Sequence, residues 1–476
     1  MQRGFLCLLL ALLTLSACAP IGPNYAKPGT PVPDFWNTGL QADLNSGTPD
    51  IASWWRKFDD STLNKLIAIA ETQNHDLAIA AERIEEARAL RGVARGGLAP
   101  TFGASGGAER IRESETQHFN PPNPGDRYAA GLEAGWELDF VGGLRRSAEA
   151  ASASLEATSE VYHDTLVVIY AEVANSYVEY RTLQRRIALA QANIASQKES
   201  VDLTRDRKTA GLAPQSDVSQ AATNLATTSA LVPQLQTQLA ATRNRLAVLV
   251  GRYPGSIDEL LGGRSSIPRP RESSSLGIPA DLVRSRPDLR AAERQLAAQS
   301  ARIGVAKAEL YPKFTLSGTF ALQSANSGDL TDSASRAYSF GPRFRWRLFE
   351  GGAIRQTVKA EESRTRQALA HYEKTLLQAV AEVETSLASI KYERVRQGHL
   401  DQAVRSSRET VGIIKENYTQ GIVDFQNVLD AERSIFANED SAASSAGQLA
   451  LYHIALYRAL GGGTKMPAQP ILNDKP

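Results

Sequence analysis

Cysteine is nearly absent from this 476-residue chain: the two that occur, Cys7 and Cys18, fall within its first eighteen residues. Neither a disulfide framework nor a thiolate metal cluster is therefore open to the rest of the molecule. Methionine is as scarce, with Met1 and Met466 alone, so a methionine relay for a soft metal is unsupported. The six histidines lack ligand spacing, and no Walker lysine loop, dinucleotide glycine pattern or His/Glu zinc motif occurs. Net charge is missing too. Lys plus Arg number 53 against 52 for Asp plus Glu, a formal charge of +1, so no basic field exists to hold nucleic acid. Beyond the amino terminus there is no long apolar run, which excludes further spanning helices and leaves strands as the means of crossing a membrane. What is present, 42% hydrophobic and 22% charged residues, is nevertheless enough for a folded core.

Arg3 is followed by the apolar run Phe5 to Leu15, the length of a secretory h-region rather than of a membrane span of ~20 residues. The run closes on Leu15, Ser16, Ala17 and Cys18, which resembles the lipobox of bacterial lipoproteins. That resemblance implies a signal peptide at 1–17, an acylated Cys18, and a lipidated extended segment at 18–54. The residue after the cysteine is Ala19 and not aspartate, which in the sorting rule of such lipoproteins implies the outer membrane. Each buried methylene contributes ~0.8 kcal/mol, so several acyl chains on one residue anchor firmly. This covalent lipid is the expected non-protein group; no cofactor and no metal is expected.

The chain contains one unit written twice. Residues 76–106 laid on 288–318 without a gap give twelve identities in 31 positions, among them Gly92/Gly304, Leu98/Leu310, Pro100/Pro312 and Phe102/Phe314. Further on the offset settles at 210, with Trp136/Trp346, Tyr162/Tyr372, Thr209/Thr419, Gly211/Gly421 and Gly251/Gly461. Such self-similarity marks a tandem duplication. The repeats are expected at 55–251 and 281–461, with a linker at 252–280 and a flexible tail at 462–476. Residues 143–208 and 353–417 hold apolar positions at helical spacing and no proline. At 1.5 Å per residue each helix reaches ~100 Å, and its alanine-rich, narrow apolar seam is that of coiled-coil packing. Pro233 is expected to kink the returning helix of the first repeat, where the second has Ala443.

Between the helices, period-two patterns predict strands near 100–112, 128–141, 311–323 and 338–349. Even positions carry Tyr128, Leu132, Trp136, Phe314, Leu316, Phe320, Tyr338, Phe340, Phe344 and Trp346; odd ones carry Glu133, Glu137, Arg343, Arg345 and Arg347. These are membrane-strand lengths. Lipid is expected on the even face, because the reverse would set three arginines in hydrocarbon at ~2–4 kcal/mol each. The odd face, with Glu133, Glu137, Arg343, Arg345 and Arg347, is then the barrel lumen, where acidic and basic stripes are expected to hold copies in register. Four strands cannot close a barrel alone, and an open edge is not tolerated in lipid. Two copies give eight strands and a filled interior; three give twelve and room for a channel. The expectation is a mixed α+β membrane protein forming a homotrimeric twelve-stranded β-barrel, four strands per chain.

With these features in place, the sequence resembles the outer membrane factor family, in the lipoprotein branch of the TolC-like efflux channels. The carriers are WWRKFDDSTLNKLIAIAETQNHDLAIAAERIEEARA at 54–89, SRPDLRAAERQLAAQSARIGVAKAELYPKFTLSG at 285–318 and ENYTQGIVDFQNVLDAER at 416–433. The resemblance covers Cys18 to about Gly461. It implies a periplasmic α-helical barrel continuing the trimeric β-barrel, with tips that meet an adaptor (a membrane fusion protein) and, beyond it, an inner-membrane, proton-driven pump. Gly211 and Gly421 interrupt the helical pattern at equivalent places and predict hairpin-tip turns near 209–217 and 419–427. By the resemblance, Tyr418 and Asp217 form a periplasmic gate latch. Asp430, with Asn427 at a position that is acidic in some relatives, forms the pore constriction, and Asp424 is a further acidic candidate.

No catalyst is expected. Gly103 to Gly107 match the G-x-S-x-G hydrolase elbow, but the match lies inside a predicted strand and lacks the strand-to-helix turn that would expose Ser105. The function expected is a passive outer-membrane conduit of a tripartite efflux pump. The alternatives are the channel of a type I protein secretion system, which the lipobox disfavours, and a non-conducting coiled-coil envelope lipoprotein.

Overall fold

The structure, a computed structural model, describes residues 19–29, 51–112, 114, 116, 124–262, 266–270 and 286–463. The signal peptide 1–17 and the lipidation site Cys18 lie outside the described residues, as do parts of the 18–54 segment, the linker and the tail. Eleven principal elements follow in order: α1 (Ser61–Gln73), α2 (His75–Gly96), β1 (Thr101–Ile111), β2 (Gly125–Leu138), α3 (Gly143–Thr209), α4 (Gln215–Leu249), α5 (Pro287–Ala308), β3 (Lys313–Ser324), β4 (Arg336–Arg345), α6 (Ala353–Thr419) and α7 (Phe425–Ala459).

The duplication holds for three pairs of helices. α2 and α5 both have 22 residues, α3 and α6 both 67, and α4 and α7 both 35. Their starts are offset as the sequence identities are, by 212 for α2/α5 and by 210 for the other pairs. α4 runs as one helix through Pro233. The chain divides into two units, and α3 and α6 pass through both: the described parts of 1–29, 83–159 and 291–373 form the first, those of 30–82, 160–290 and 374–476 the second.

The first unit holds a four-stranded antiparallel sheet in the order β1-β2-β3-β4. Its register carries the repeat as well. Thr101 faces Gly135 and Phe102 faces Ala134; at the same two offsets, Lys313 faces Arg345 and Phe314 faces Phe344. Beside the sheet, the small residues Ala153, Ala297 and Ala298 pack α5 against α3, with Arg294 and Glu156 paired at 3.2 Å. The other flank of α5 meets α6 through Gln299 to Glu361 at 2.5 Å and Lys307 to Glu362 at 3.5 Å.

The second unit has the larger apolar core. Asp60 caps α1 by accepting from the backbone N–H of Thr62 and Leu63 at 2.8 and 3.0 Å. The helix then buries Leu63, Leu66, Ile67 and Ala70 against Val173, Tyr177, Leu246 and Ile454, while Trp54 stacks on Tyr457 at 5.3 Å. Full burial of each such side chain is worth ~1.5–3 kcal/mol. Arg181, 1% exposed, donates to the Tyr177 hydroxyl at 3.1 Å and to Gln184 Oε1 at 2.8 Å, so its buried guanidinium is hydrogen-bonded.

One carboxylate in this unit sits against the grain. Burial, with Asp288 nearby, raises the Asp164 carboxyl to about 6, although Arg286 and Arg458 oppose the shift. The fold thus favours protonated Asp164: that contribution is complete below the ordinary carboxylate value and is lost as pH rises through about 6. We expect Asp164→Asn to stabilise the protein at pH 7.5, on the order of 2 kcal/mol, with the gain vanishing near pH 4. Urea melts at the two pH values measure this, and an equal effect at both would refute it.

Candidate functional site: an amphipathic wall and two hairpin tips

Every ladder in the sheet pairs an odd residue with an odd one and an even residue with an even one. One face therefore collects all the even side chains, as the alternation requires. Phe102, Leu132, Tyr338, Phe340 and Phe344 are 62–83% exposed on it, and Leu316 and Phe320 lie among them. A continuous aromatic and aliphatic patch of this kind is not left to water by a soluble monomer. Trp136 and Trp346, repeat counterparts, donate their indole N–H groups to Leu98 O and Leu310 O at 2.9 and 3.0 Å. Both are amphipathic boundary residues with their polar edge already satisfied.

The odd face is polar and small. Glu133 lies between Gly103 and Thr319, and Glu137 next to Thr315, which in turn faces Arg343. A side chain at Gly103 would place its Cβ 2.9 Å from Glu133 Oε1, so the glycine makes room for the acid. Within one chain the acids sit on β2 and the bases on β4, with β3 between them. Arg345 is opposite Lys313, which Glu309 neutralises at 2.6 Å. Arg347 departs from expectation. β4 ends at Arg345, where β3 runs out of partners, so Arg347 lies past the strand and binds Glu309 and, at 3.4 Å, Glu350. β2, bordered on both sides, keeps its ladder to Leu138. Ser105 sits inside β1 as a strand residue, not at a nucleophile turn.

In the second unit, the two hairpin tips share one design. Gly211 and Gly421 take φ of +74° and +76°, a left-handed turn that other residues rarely adopt. Leu212 N–H donates to Arg207 O at 2.8 Å and Ile422 N–H to Asn417 O at 2.9 Å, the same helix-ending bond in both repeats. The expected latch is built otherwise. Tyr418 is 4% exposed, packed with Val201, Ala221, Phe425 and Leu429, and its hydroxyl has no hydrogen-bond partner. Asp217 does not bind it. Arg207 does the holding, with its guanidinium 4.7 Å from the ring centroid and Nη1 donating to Tyr418 O at 2.9 Å and Thr419 O at 3.0 Å. A cation on the last carbonyls of α6 offsets the helix dipole as well as capping them. Burial raises the Tyr418 phenol pKa; Arg207 opposes this and Asp217 adds to it.

Asp424, Asn427 and Asp430 are exposed together on the first turns of α7, opposite the buried Phe425, Val428 and Leu429. Gln426 donates to Asp430 at 3.1 Å, and Asn427 to Asp424 O at 3.4 Å. Behind this face lies a group the sequence reading passed over. Glu432, 3% exposed, receives Lys415 at 2.9 Å and the Ser200 hydroxyl at 2.6 Å. Its sequence signal is an acid in register with the apolar Val428, Leu429 and Ile435. Arg207 had no such signal, since arginine before a turn is ordinary.

A lipid-suited face with two open edges, joined to duplicated helical hairpins, defines one protomer of an outer-membrane channel. The profile of the family described as "Outer membrane efflux protein" matches residues 66–252 and 278–462. The chain is 32% identical over 464 residues to nodulation protein T of Rhizobium leguminosarum bv. viciae, covering 96% of this chain and 92% of that protein. It is 31% identical over 466 residues to outer membrane protein OprJ of Pseudomonas aeruginosa, covering 96% and 95%. The solved outer-membrane channel OprN superposes with a TM-score of 0.87 at 33% identity, over 93% of this chain and 99% of that one. The chain belongs to the outer membrane efflux protein family. Its place is the outer membrane, and its family is one of channels rather than enzymes.

At the tip, Arg207→Ala should loosen the hairpins by on the order of 2 kcal/mol, whereas Tyr418→Phe should change stability by less than ~1 kcal/mol because its hydroxyl bonds nothing. Amide exchange over 205–215 and 418–425 separates the two; equal protection losses would contradict the assignment of Arg207.

Proposed function

We propose that three copies close one twelve-stranded barrel, continued by a periplasmic helical barrel, and act as the passive outer-membrane duct of a tripartite efflux pump. A single observation carries the reading: an apolar, exposed even face on a sheet whose edges, β1 and β4, pair with no other strand among the described residues. Lipid accepts the face but not the edges. Closure by three copies in place of two fits an odd face carrying both small residues and long charges, Glu133, Glu137, Arg343 and Arg345, which need a water-filled interior.

The hairpin tips are the docking end in this reading. Leu212 and Ile422, one residue past each tip glycine, are 67% and 65% exposed and offer repeat-related apolar points to an adaptor protein. The adaptor in turn links the duct to a proton-driven inner-membrane pump, which supplies the energy and selects the substrate. Asp430 and Asp424, on the exposed side of α7, form the acidic constriction with Asn427, and a ring of three carboxylates favours cations. Arg207 and Tyr418 hold the closed tip, with Asp217 beside them.

Cys18 carries the lipid. What supports this is the fold of the residues just after it. Ile21 N–H donates to Val141 O at 2.9 Å, and Arg146 grips Pro20 O, Ile21 O and Asn24 Oδ1 at 3.2, 3.0 and 2.7 Å. The chain start is thereby tied beside the passage from β2 to α3, at the rim of the wall.

In planar bilayers the purified protein should give stepwise, cation-preferring currents, and Asp430→Asn should lower the cation-to-anion permeability ratio at least twofold. Inserted protein that carries no current would sink the channel reading. Cells given a palmitate analogue should label the parent chain and not Cys18→Ser; equal labelling of both would remove the lipid from Cys18.

A further inference from the structure

The geometry points to a binding site apart from the hairpin tips: a cavity lined by α3, α6 and α7 that takes a small amphipathic anion, a phosphate or carboxylate head on a short apolar body.

The cavity lies within the second unit and measures about 310 Å³, at the small end of the range for small-molecule sites. Its floor is apolar and tightly packed. Leu189 of α3 and Ala443 and Ala446 of α7 are each 7% exposed there. Its rim is basic. Arg185 comes from α3, Arg405 and Arg408 from α6, and Arg269 from the short segment 266–270. That segment is fixed by Ile267, which packs on the large apolar core, and by the buried Pro268. The helices are fixed as well: Arg186 of α3 holds Asp440 of α7 through two bonds of 2.7 and 2.9 Å, so the floor is in place without a ligand.

Two carboxylates answer the four guanidiniums, and only one of them is engaged. Arg408 donates to one oxygen of Glu439 through Nε and Nη2 at 2.9 and 2.7 Å, and Asn193 of α3 donates to the other at 3.4 Å. Glu439 is thereby spent. Asp401 is exposed and accepts no bond, while Arg185, Arg269 and Arg405 have no carboxylate or hydrogen-bond partner among the described residues. Even with Asp401 set against one of them, cations remain in excess around an apolar floor. A guanidinium grips a carboxylate or phosphate through paired N–H groups, and the floor gives an attached hydrocarbon a surface already shielded from water.

The duplication shows that helix packing does not ask for these residues. At the offset of 210, Arg185, Arg405 and Arg408 correspond to Val395, Ala195 and Lys198. The floor differs in the same sense. Where α7 has Ala442, Ala443 and Ala446, α4 has the larger Val232, Pro233 and Gln236. One repeat has therefore both emptied a floor and gathered arginines around it, which is what a ligand with an apolar body and an anionic head requires.

The probe is octyl phosphate, titrated calorimetrically into the purified full chain in a non-ionic detergent. It should bind saturably, and inorganic phosphate and octanol, each carrying half of the recognition, should bind on the order of tenfold more weakly. Arg185→Gln with Arg405→Gln, both at exposed positions, should weaken octyl phosphate by about tenfold. Ala442→Val with Ala446→Gln, which restores the residues of α4, should weaken octyl phosphate by roughly fivefold and leave inorganic phosphate as it was. Amide exchange over 183–190 and 397–409 should slow roughly threefold when the parent chain is loaded. No saturable binding, octanol or inorganic phosphate binding as tightly as octyl phosphate, an unchanged affinity in the arginine variant, or exchange slowed only elsewhere would each overturn the site. A two-chained phosphatidate in the same micelles should not displace the probe; displacement would overturn the assignment to a small anion.

Discussion

A strand edge carries a row of N–H and C=O groups, and hydrocarbon offers nothing to receive them. In this protein that constraint falls on β1 and β4, the outer strands of a sheet whose even face is otherwise made for lipid. Adding a covering helix would not help, because the face beside each edge must stay in contact with the bilayer. The backbone must therefore find its partners in further copies of itself. The short β4, ending where β3 ends, is the local mark of that dependence.

Duplication makes such an arrangement economical. One helix-strand-strand-hairpin unit is written twice. The two repeats have diverged where their surroundings differ. Inside the chain, α5 uses alanine and a glycine pressed by Arg146, which also ties down the segment after Cys18. On α2 the glycine is kept as Gly92, but Glu85 and Glu86 stand where α5 has Ala297 and Ala298, as suits an exposed surface.

The tips follow a different physics. Two left-handed glycines end the long helices in the same way, and what distinguishes the tips is the charge placed around them. A guanidinium on carbonyls and an aromatic ring is a strong contact that one substitution can remove, whereas Glu432 is a buried carboxylate whose pairing with half-buried Lys415 is costly to break. The acidic residues that face solvent, Asp424 and Asp430, are free of both.

Much of this was legible in the chain before any folding. The period-two alternation assigns every strand side chain to its face, because a pleat permits one choice once the arginines are placed away from lipid. The 212 and 210 offsets set the element boundaries of one repeat from the other, and Gly211 and Gly421 located the turns, since few other residues tolerate that backbone. These are local properties, carried by neighbours a few positions apart. Tertiary structure alone decided that Arg207 and not Asp217 holds Tyr418, that Glu432 finds Lys415, and that Arg347 leaves the strand. Each depends on which distant group arrives first at a carbonyl, a carboxylate or a strand edge, and periodicity along the chain carries no record of that.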